Sequence, residues 1–415
     1  MGERKFLWGV ATSAFQIEGS PFADWATWDE RLRAHPDVTH HYHLYKEDLK
    51  LLKEIGVNAY RFSIEWSRIQ PAQDRWDDMA LGRYLEIVRI LREEQIEPVI
   101  TLHHFTHPRW FLEKFPWHRE ESILKFAEYV KHIVEAFGEV RYWITFNEPN
   151  VLLLGGYLDG CMPPGVKDQT SYVHANVNLL LAHAEAYDIL HGRNAQAEVG
   201  LAQNMAVFAP YRSWSPLDRF LARVAHRYYN LSLLEAIRIG RLRLRFPIFK
   251  KIEVDLPLRG KLDFIGVNYY TRIHLQFNPF CRMGVALRYE DREGNGLTDM
   301  GWEIYPRGLE QVLREASTFG LPVMITENGI ATADRRKKDW YIKSHLDILE
   351  GCLKKGMDIR GYFYWSLMDH YEWLKGMDAR FGLYRVDFET LERKATPVAK
   401  FYSFLIKRRS GTFLL

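Results

Sequence analysis

"YWITFNEPN", residues 142–150, decides the fold. Tyr142, Trp143, Ile144, Thr145 and Phe146 are aromatic or β-branched in an almost unbroken apolar run, the pattern of a buried strand. The run then stops on Asn147, Glu148 and Pro149. An ionised carboxylate leaving water is costly unless something partners it, so a strand that delivers Glu148 at its tip implies a partner nearby.

Similar runs recur along the chain: "KFLWGV" (5–10), "VNAYRFSI" (57–64), "PVITLHH" (98–104), "EVGLAQNM" (198–205), "FIGVNYY" (264–270), "PVMITEN" (322–328) and "IRGYFYWSL" (359–367). With the first they make eight candidate strands. Between them lie sets such as Tyr45, Leu49, Leu52, Ile55; Leu81, Leu85, Val88, Leu91; and Leu309, Val312, Ala316, Phe319. Each set advances by three or four residues, the period of an amphipathic helix. Continuous apolar strands alternating with such helices imply a parallel sheet covered on its faces. Eight units in one chain predict an α/β fold, a single (β/α)₈ TIM barrel over residues 1–415, with long loops at the C-terminal face of the strands. An open doubly wound sheet is the competing arrangement. No Pro/Gly/Ser-rich linker splits the chain. The connections at about 206–262 and 271–320 are long, and in a barrel they are expected to wall the mouth.

Size and charge narrow the function. With 415 residues, 47% hydrophobic and 14% aromatic, the chain can bury a large core, which argues against disorder. The 56 Lys plus Arg nearly cancel 53 Asp plus Glu, so no global basic field argues for nucleic acid or an anionic membrane. A small or neutral molecule is the expected partner, and the sequence is compatible with a monomer or a homo-oligomer. Cys161, Cys281 and Cys352 are far apart with no CxxC, which fits free thiols in a reducing cytoplasm. The N-terminal apolar stretch is interrupted, and Gln16 and Glu18 follow at once, unlike a secretory leader. No run reaches the roughly 18 apolar residues of a spanning helix.

Nearly every candidate strand turns polar at its C-terminal end. The first leads to Gln16 and Glu18; the second contains Arg61 and ends near Glu65; the third ends at His103 and His104. Asn147 and Glu148 end the fourth, Asn268, Tyr269 and Tyr270 the sixth, Glu327 and Asn328 the seventh. The eighth runs through Trp365 to Asp369 and Glu372. In a barrel these ends meet at one face, where barrel enzymes keep their chemistry. A lone Glu at a strand end is usually a solvated loop residue or a cap, but Glu148 and Glu327 make a pair. Two carboxyls across one pocket are what glycosidic cleavage needs, one to protonate the leaving group and one to attack or stabilise the sugar cation. Trp302, Trp365 and Trp373 offer faces on which a sugar ring stacks, although Trp more often serves the core. "HHYH" (40–43) and "HHFTH" (103–107) invite a metal reading, yet no HExxH appears and no thiolate is near, so neither a metal nor another cofactor is expected.

At these residues the chain resembles family 1 of the glycoside hydrolases, the retaining β-glucosidases and β-galactosidases. The likeness runs in the family's order through "FLWGVATSAFQIEG", "YKEDLKLLKEIGVNAYRFSIEWSRIQP", "VITLHHFTHPRWF", "YWITFNEPN", "DFIGVNYYTR", "DMGWEIYPRGL", "ITENGI", "RGYFYWSLMDHYEW" and "RFGLYRVDFET". The resemblance implies a retaining exo-β-glycosidase that removes terminal glucose, galactose, fucose or mannose through a covalent glycosyl-enzyme. It makes Glu148 the acid/base and Glu327 the nucleophile. Arg61 and Tyr270 are implied to hydrogen-bond the nucleophile, Asn147 to meet the sugar 2-hydroxyl, and Asn268 to lie near the nucleophile. Gln16, His104, Trp365, Glu372 and Trp373 are similar to the residues that hold the other hydroxyls, and Trp302 borders the leaving-group side. Arg61 and Tyr270 are expected to lower the pKa of Glu327, and the Glu327 charge to raise that of Glu148.

Three departures stand out. Phe105 follows His104 where many members have Trp, Glu65 stands where many have a small residue, and "SPFADWATWDE" leaves a short loop after the first strand. With "EWSR" and "LHHFT", Glu65 resembles the archaeal branch. A 6-phospho-β-glycosidase is the nearest rival, opposed by Glu372, which would repel a phosphate. A sugar-binding barrel without turnover is the rival from another class, opposed by the presence of both carboxylates.

Overall fold

A computed structural model describes residues 5–33, 36–244, 252–281 and 284–410. Eight parallel strands, β1 (Leu7–Ala11), β2 (Ala59–Ser63), β3 (Glu97–His103), β4 (Tyr142–Asn147), β5 (Glu198–Asn204), β6 (Phe264–Asn268), β7 (Val323–Asn328) and β8 (Ile359–Trp365), pair in chain order. The ring closes because β1 pairs with both β2 and β8. All eight expected strands are present, within a few residues of their anticipated ends, and the open sheet is excluded.

The principal covering helices are α1 (His41–Ile55), α2 (Asp78–Glu93), α3 (Glu121–Phe137), α4 (Gln169–Arg193), α5 (Ser232–Ile239), α6 (Arg307–Ser317), α7 (Arg335–Lys354) and α8 (Pro397–Ser410). Their starts follow local chemistry. Asp77 caps α2 by accepting from the Ala80 N–H, and Asp334 caps α7 by accepting from Arg336 and Lys337. Tyr45, Leu49, Leu52 and Ile55 are the buried stripe of α1, which Gly56 ends in the left-handed region. Helix α6 stops at Ser317, so Phe319 of the expected stripe lies just beyond it, still packed on the core.

The barrel interior holds a second apolar cluster, including Val99, Ile144, Phe264, Met324 and Phe363. Its large rings need bare backbone opposite them. A Cβ on Gly9 would lie 2.4 Å from the Phe363 ring, and one on Gly200 would lie 2.4 Å from Phe264.

The described parts of the two long connections carry short strands and helices and are joined to each other. Val207–Pro210 from the first pairs in parallel with Arg272–Phe277 from the second, which pairs antiparallel with Val285–Arg288. The first connection also carries helix Pro216–Ala225 and the hairpin strands Arg241–Leu244 and Ile252–Asp255. At the other end of the chain, α8 accounts for most of the apolar and basic tail. Leu405 and Ile406 are buried, and residues 411–415 lie outside the described part. Among the described residues no helix is long and apolar enough to cross a membrane.

Candidate active site

Register along the barrel shifts where β8 starts against β7, at Ile359–Gly361, and towards the polar ends of β4 and β7. On β4, Ile144 to Asn147 is opposed by only Gly200 to Ala202 of β5, and on β7, Ile325 to Glu327 is opposed by Val267 to Asn268 of β6. Each strand thus carries one extra residue just before its glutamate, a bulge of the kind that re-aims side chains at barrel rims. After β4 the chain turns sharply. Glu148 takes the left-handed conformation, φ +44°, and Pro149 starts the short helix Pro149–Leu153.

Both glutamates are nearly sealed from solvent, Glu148 at 7% and Glu327 at 3% exposure. Arg61 Nη1 donates to Glu327 Oε1 at 2.7 Å, and the Tyr270 hydroxyl donates to Oε2 at 2.6 Å. Arg61 is itself fixed. It donates to Thr326 O at 3.0 Å, to Thr101 Oγ1 at 3.2 Å and, through Nη2, to Asn147 Oδ1 at 2.6 Å. Asn268 Nδ2 donates to both Asn147 Oδ1, at 3.1 Å, and Glu148 Oε1, at 2.9 Å. A chain of hydrogen bonds therefore runs from one carboxyl to the other through Arg61, Asn147 and Asn268.

Burial, reinforced by the charge of Glu327, pushes the Glu148 carboxyl up to about 8. Glu327 is also raised. Burial outweighs Arg61 and Tyr270, so the lowered value expected for Glu327 does not emerge, and the two donors only offset its desolvation. The contrast between the glutamates survives: Glu327 has a cation and a phenol to stabilise its charge, whereas Glu148 has two neutral amides.

Gln16, His104, Asn147, Glu148, Tyr270, Trp302, Glu327, Trp365, Glu372 and Trp373 all line one cavity of about 360 Å³, with Arg61 and Asn268 bonded behind it. Every residue singled out for this site is thus brought to it. Gln16 Nε2 donates to Tyr371 O at 2.8 Å, and Glu372 Oε2 meets His370 Nε2 at 2.9 Å. His104 lies nearly parallel to Trp365, ring centres 5.8 Å apart. Because Asn147 Oδ1 already accepts twice, its Nδ2 faces His104 Nε2 at 3.0 Å. Gln16 Oε1 and His104 Nδ1 are buried without a partner, ready for a ligand's hydroxyls. Phe105 lines the cavity too and meets Trp373 edge to face at 5.2 Å.

Other polar tips point elsewhere. Glu18 accepts from the Tyr84 hydroxyl, and Asp369 pairs with Arg380. Glu65 accepts from Ser67 and Thr106, and burial raises it to about 7. His103 packs among Trp117, Phe126 and Phe146, while His107 bonds Asp24. Asn328 is held by Tyr341 and Tyr362 outside the barrel.

Asn204 and Tyr229 were not anticipated. Asn204 Nδ2 donates to Glu148 Oε1 at 2.8 Å, and its Oδ1 accepts from the Tyr229 hydroxyl at 2.9 Å. The signal for Asn204 was present, since β5 turns polar at "QN" like its neighbours. Tyr229 gave none, because it arrives from the connection after β5.

Residues 3–411 match the family model of Glycosyl hydrolase family 1. The chain is 33% identical over 442 residues to beta-glucosidase A of Acetivibrio thermocellus, across 97% of this chain and 98% of that protein. The solved beta-glycosidase from Pyrococcus horikoshii superposes with a TM-score of 0.89 at 37% identity, covering 97% of this chain and 95% of that one. The beta-glucosidase from Thermotoga maritima in complex with azafagomine gives 0.87 at 31% identity, covering 97% and 98%. A barrel whose two bulged strands present a glutamate pair to one cavity, matched nearly end to end by such relatives, is a glycosidase that belongs to glycosyl hydrolase family 1.

Proposed function

We propose that the chain is a retaining exo-β-glycosidase acting on terminal non-reducing β-D-glycosyl residues. The observation that carries the reading is the unequal environment of two sealed carboxyls on one cavity, one beside Arg61 and Tyr270, the other beside Asn204 and Asn268.

Glu327, charged beside Arg61, attacks the anomeric carbon while Glu148 gives its proton to the glycosidic oxygen. The leaving group departs as an alcohol and the sugar remains as an ester of Glu327. Esterification removes the Glu327 charge, and with it one cause of the raised Glu148 pKa, so Glu148 now accepts a proton from water. That water attacks the anomeric carbon and frees Glu327. Two inversions leave the anomeric configuration as it began. Asn147 is placed to meet the 2-hydroxyl, and Gln16, His104, Glu372 and the faces of Trp365 and Trp373 the rest of the ring. Glu372 in the cavity wall supports a neutral sugar over a 6-phosphorylated one. Cys161, Cys281 and Cys352 are free thiols, which supports a reducing cytoplasm.

Nitrophenyl β-glycosides test this directly. Glu327→Ala should lose release by roughly 10³-fold or more. Glu148→Ala should regain activity with azide and yield the β-glycosyl azide. An α-glycosyl azide from Glu148→Ala, or no rescue of that variant beside an active wild type, would remove the double displacement.

A further inference from the structure

Glu372 and Trp373 reach the cavity from the loop after β8. That loop closes on itself: the Glu372 N–H donates to Gly376 O at 2.7 Å, and the N–H groups of Lys375 and Gly376 donate back to Glu372 O at 2.6 and 2.9 Å. It therefore moves as a unit, and what holds it from outside decides where both side chains point. On the cavity side Trp373 packs against Trp25, ring centres 4.8 Å apart, and lies parallel to Phe15 at 6.1 Å.

The outer side is held by two residues of the segment after β1. Arg31 Nη2 donates to Trp373 O at 3.1 Å, and Nη1 to Leu374 O at 3.4 Å. Among the described residues no other side chain donates to these two carbonyls. Asp29 aims the guanidinium, accepting from Arg31 Nε at 2.9 Å and from Nη2 at 2.5 Å, and it also accepts from the Tyr371 hydroxyl at 2.6 Å. Tyr371 precedes Glu372 and Trp373 follows it, so the pair grips the chain on both sides of the carboxylate. The base of this grip is itself fixed. The Asp29 N–H donates to Trp25 O at 3.3 Å, and Asp24, which caps the short helix Trp25–Trp28, accepts from the His107 N–H at 3.0 Å.

The Arg31 side chain is 49% exposed, and an ion pair so open to water adds little to the stability of a fold. Its geometry serves the loop instead, through two backbone carbonyls beside Glu372. A side chain that meets a sugar hydroxyl works only when held to within about 0.5 Å of the productive position. Resting on the β-glycosidase reading above, we infer that Asp29 and Arg31 are positioning residues for the sugar subsite: they fix the loop that presents Glu372 and Trp373 to the ring. Neither lines the cavity, so both act through that loop and touch no substrate themselves.

Kinetics on the nitrophenyl β-glycoside that the wild type prefers separate this from a merely structural role. Arg31→Ala should raise KM about three- to tenfold, as two hydrogen bonds give way to water. It should leave kcat within about twofold and shift Tm by no more than about 2 °C. Arg31→Lys, which keeps the charge but not the two-pronged donor, should fall between wild type and Arg31→Ala. Asp29→Asn should raise KM in the same direction. In a Glu372→Gln background Arg31→Ala should raise KM less than in the wild type, because the contact it serves is already weakened. An unchanged KM in Arg31→Ala, or an equal cost in both backgrounds, overturns the inference and leaves the parent reading standing. Absence of nitrophenol release by the wild type from every β-glycoside overturns both.

Discussion

Glu148 carries two liabilities at once. A side chain in the left-handed backbone region costs roughly 1–2 kcal/mol, and its buried carboxyl is pushed up to about 8. Residues held this way persist where function over-determines them. The second cost depends on pH with a definite sign. Below the ordinary carboxyl value both folded and unfolded chains hold the proton. As pH rises the unfolded chain ionises first, so stability falls until the folded group ionises near 8. Glu148→Gln removes that slope. It should abolish hydrolysis yet be more stable than the wild type by an amount that grows from pH 4.5 to 8, to on the order of a few kcal/mol. Urea unfolding at both ends of the range checks this; an equal difference at the two pH values would show that burial of this carboxyl is not what the fold resists.

At the scale of elements, the barrel depends on where backbone is left bare. Phe264 occupies the space a Cβ on Gly200 would need, so Gly200→Ala must displace a ring held by the strands around it. We expect a loss of about 1–3 kcal/mol. Gly82, exposed on α2 with nothing within 4 Å of its virtual Cβ, is the contrast. Gly82→Ala should gain about 0.5–1 kcal/mol. Denaturant midpoints for the pair decide it, and like-signed shifts would contradict the packing argument. These elements also mark what the sequence made readable. The strands were legible because each is a continuous apolar run, and the convergence of Arg61, Asn147, Glu148, Asn268 and Glu327 followed once eight such runs closed on one face. The bulges on β4 and β7 were not, since one added residue leaves "YWITFNEPN" and "PVMITEN" as apolar as before. The short strands within residues 206–262 and 271–320 read as loops because each is only four to six residues long and largely half-exposed. The rise in the Glu327 pKa was hidden too, because a motif names Arg61 as a neighbour but not how far water is excluded.

For the molecule as a whole, the formal net charge is only +3, so stability against pH is set by buried groups more than by global repulsion. Two sets oppose each other. Burial holds His103 and His104 well below the usual histidine value, His107 at about 3, and His183 and His345 at about 4. These stay neutral in the fold while the unfolded chain takes up protons below about 6.5, so stability falls as pH drops through that value. Burial raises Asp24 and Glu65 to about 7 and Glu148 to about 8. Each holds a proton the unfolded chain has lost, so stability falls as pH rises until these groups ionise. Burial also raises Glu18, Glu97 and Glu327 and lowers His118, so below pH 6.5 the two sets offset one another, whereas between about 6.5 and 8 the acids act alone. Further into acid, Glu303, held at about 2 by its bonds to His274 and Arg272 against its own burial, adds to the loss. The melting temperature should therefore be lower at pH 8 than at pH 6.5. Circular dichroism melts at the two values test this. A Tm still climbing at pH 8 would mean that the carboxyls beneath and within the cavity are ionised in the folded protein, and that Glu148 holds no proton to give.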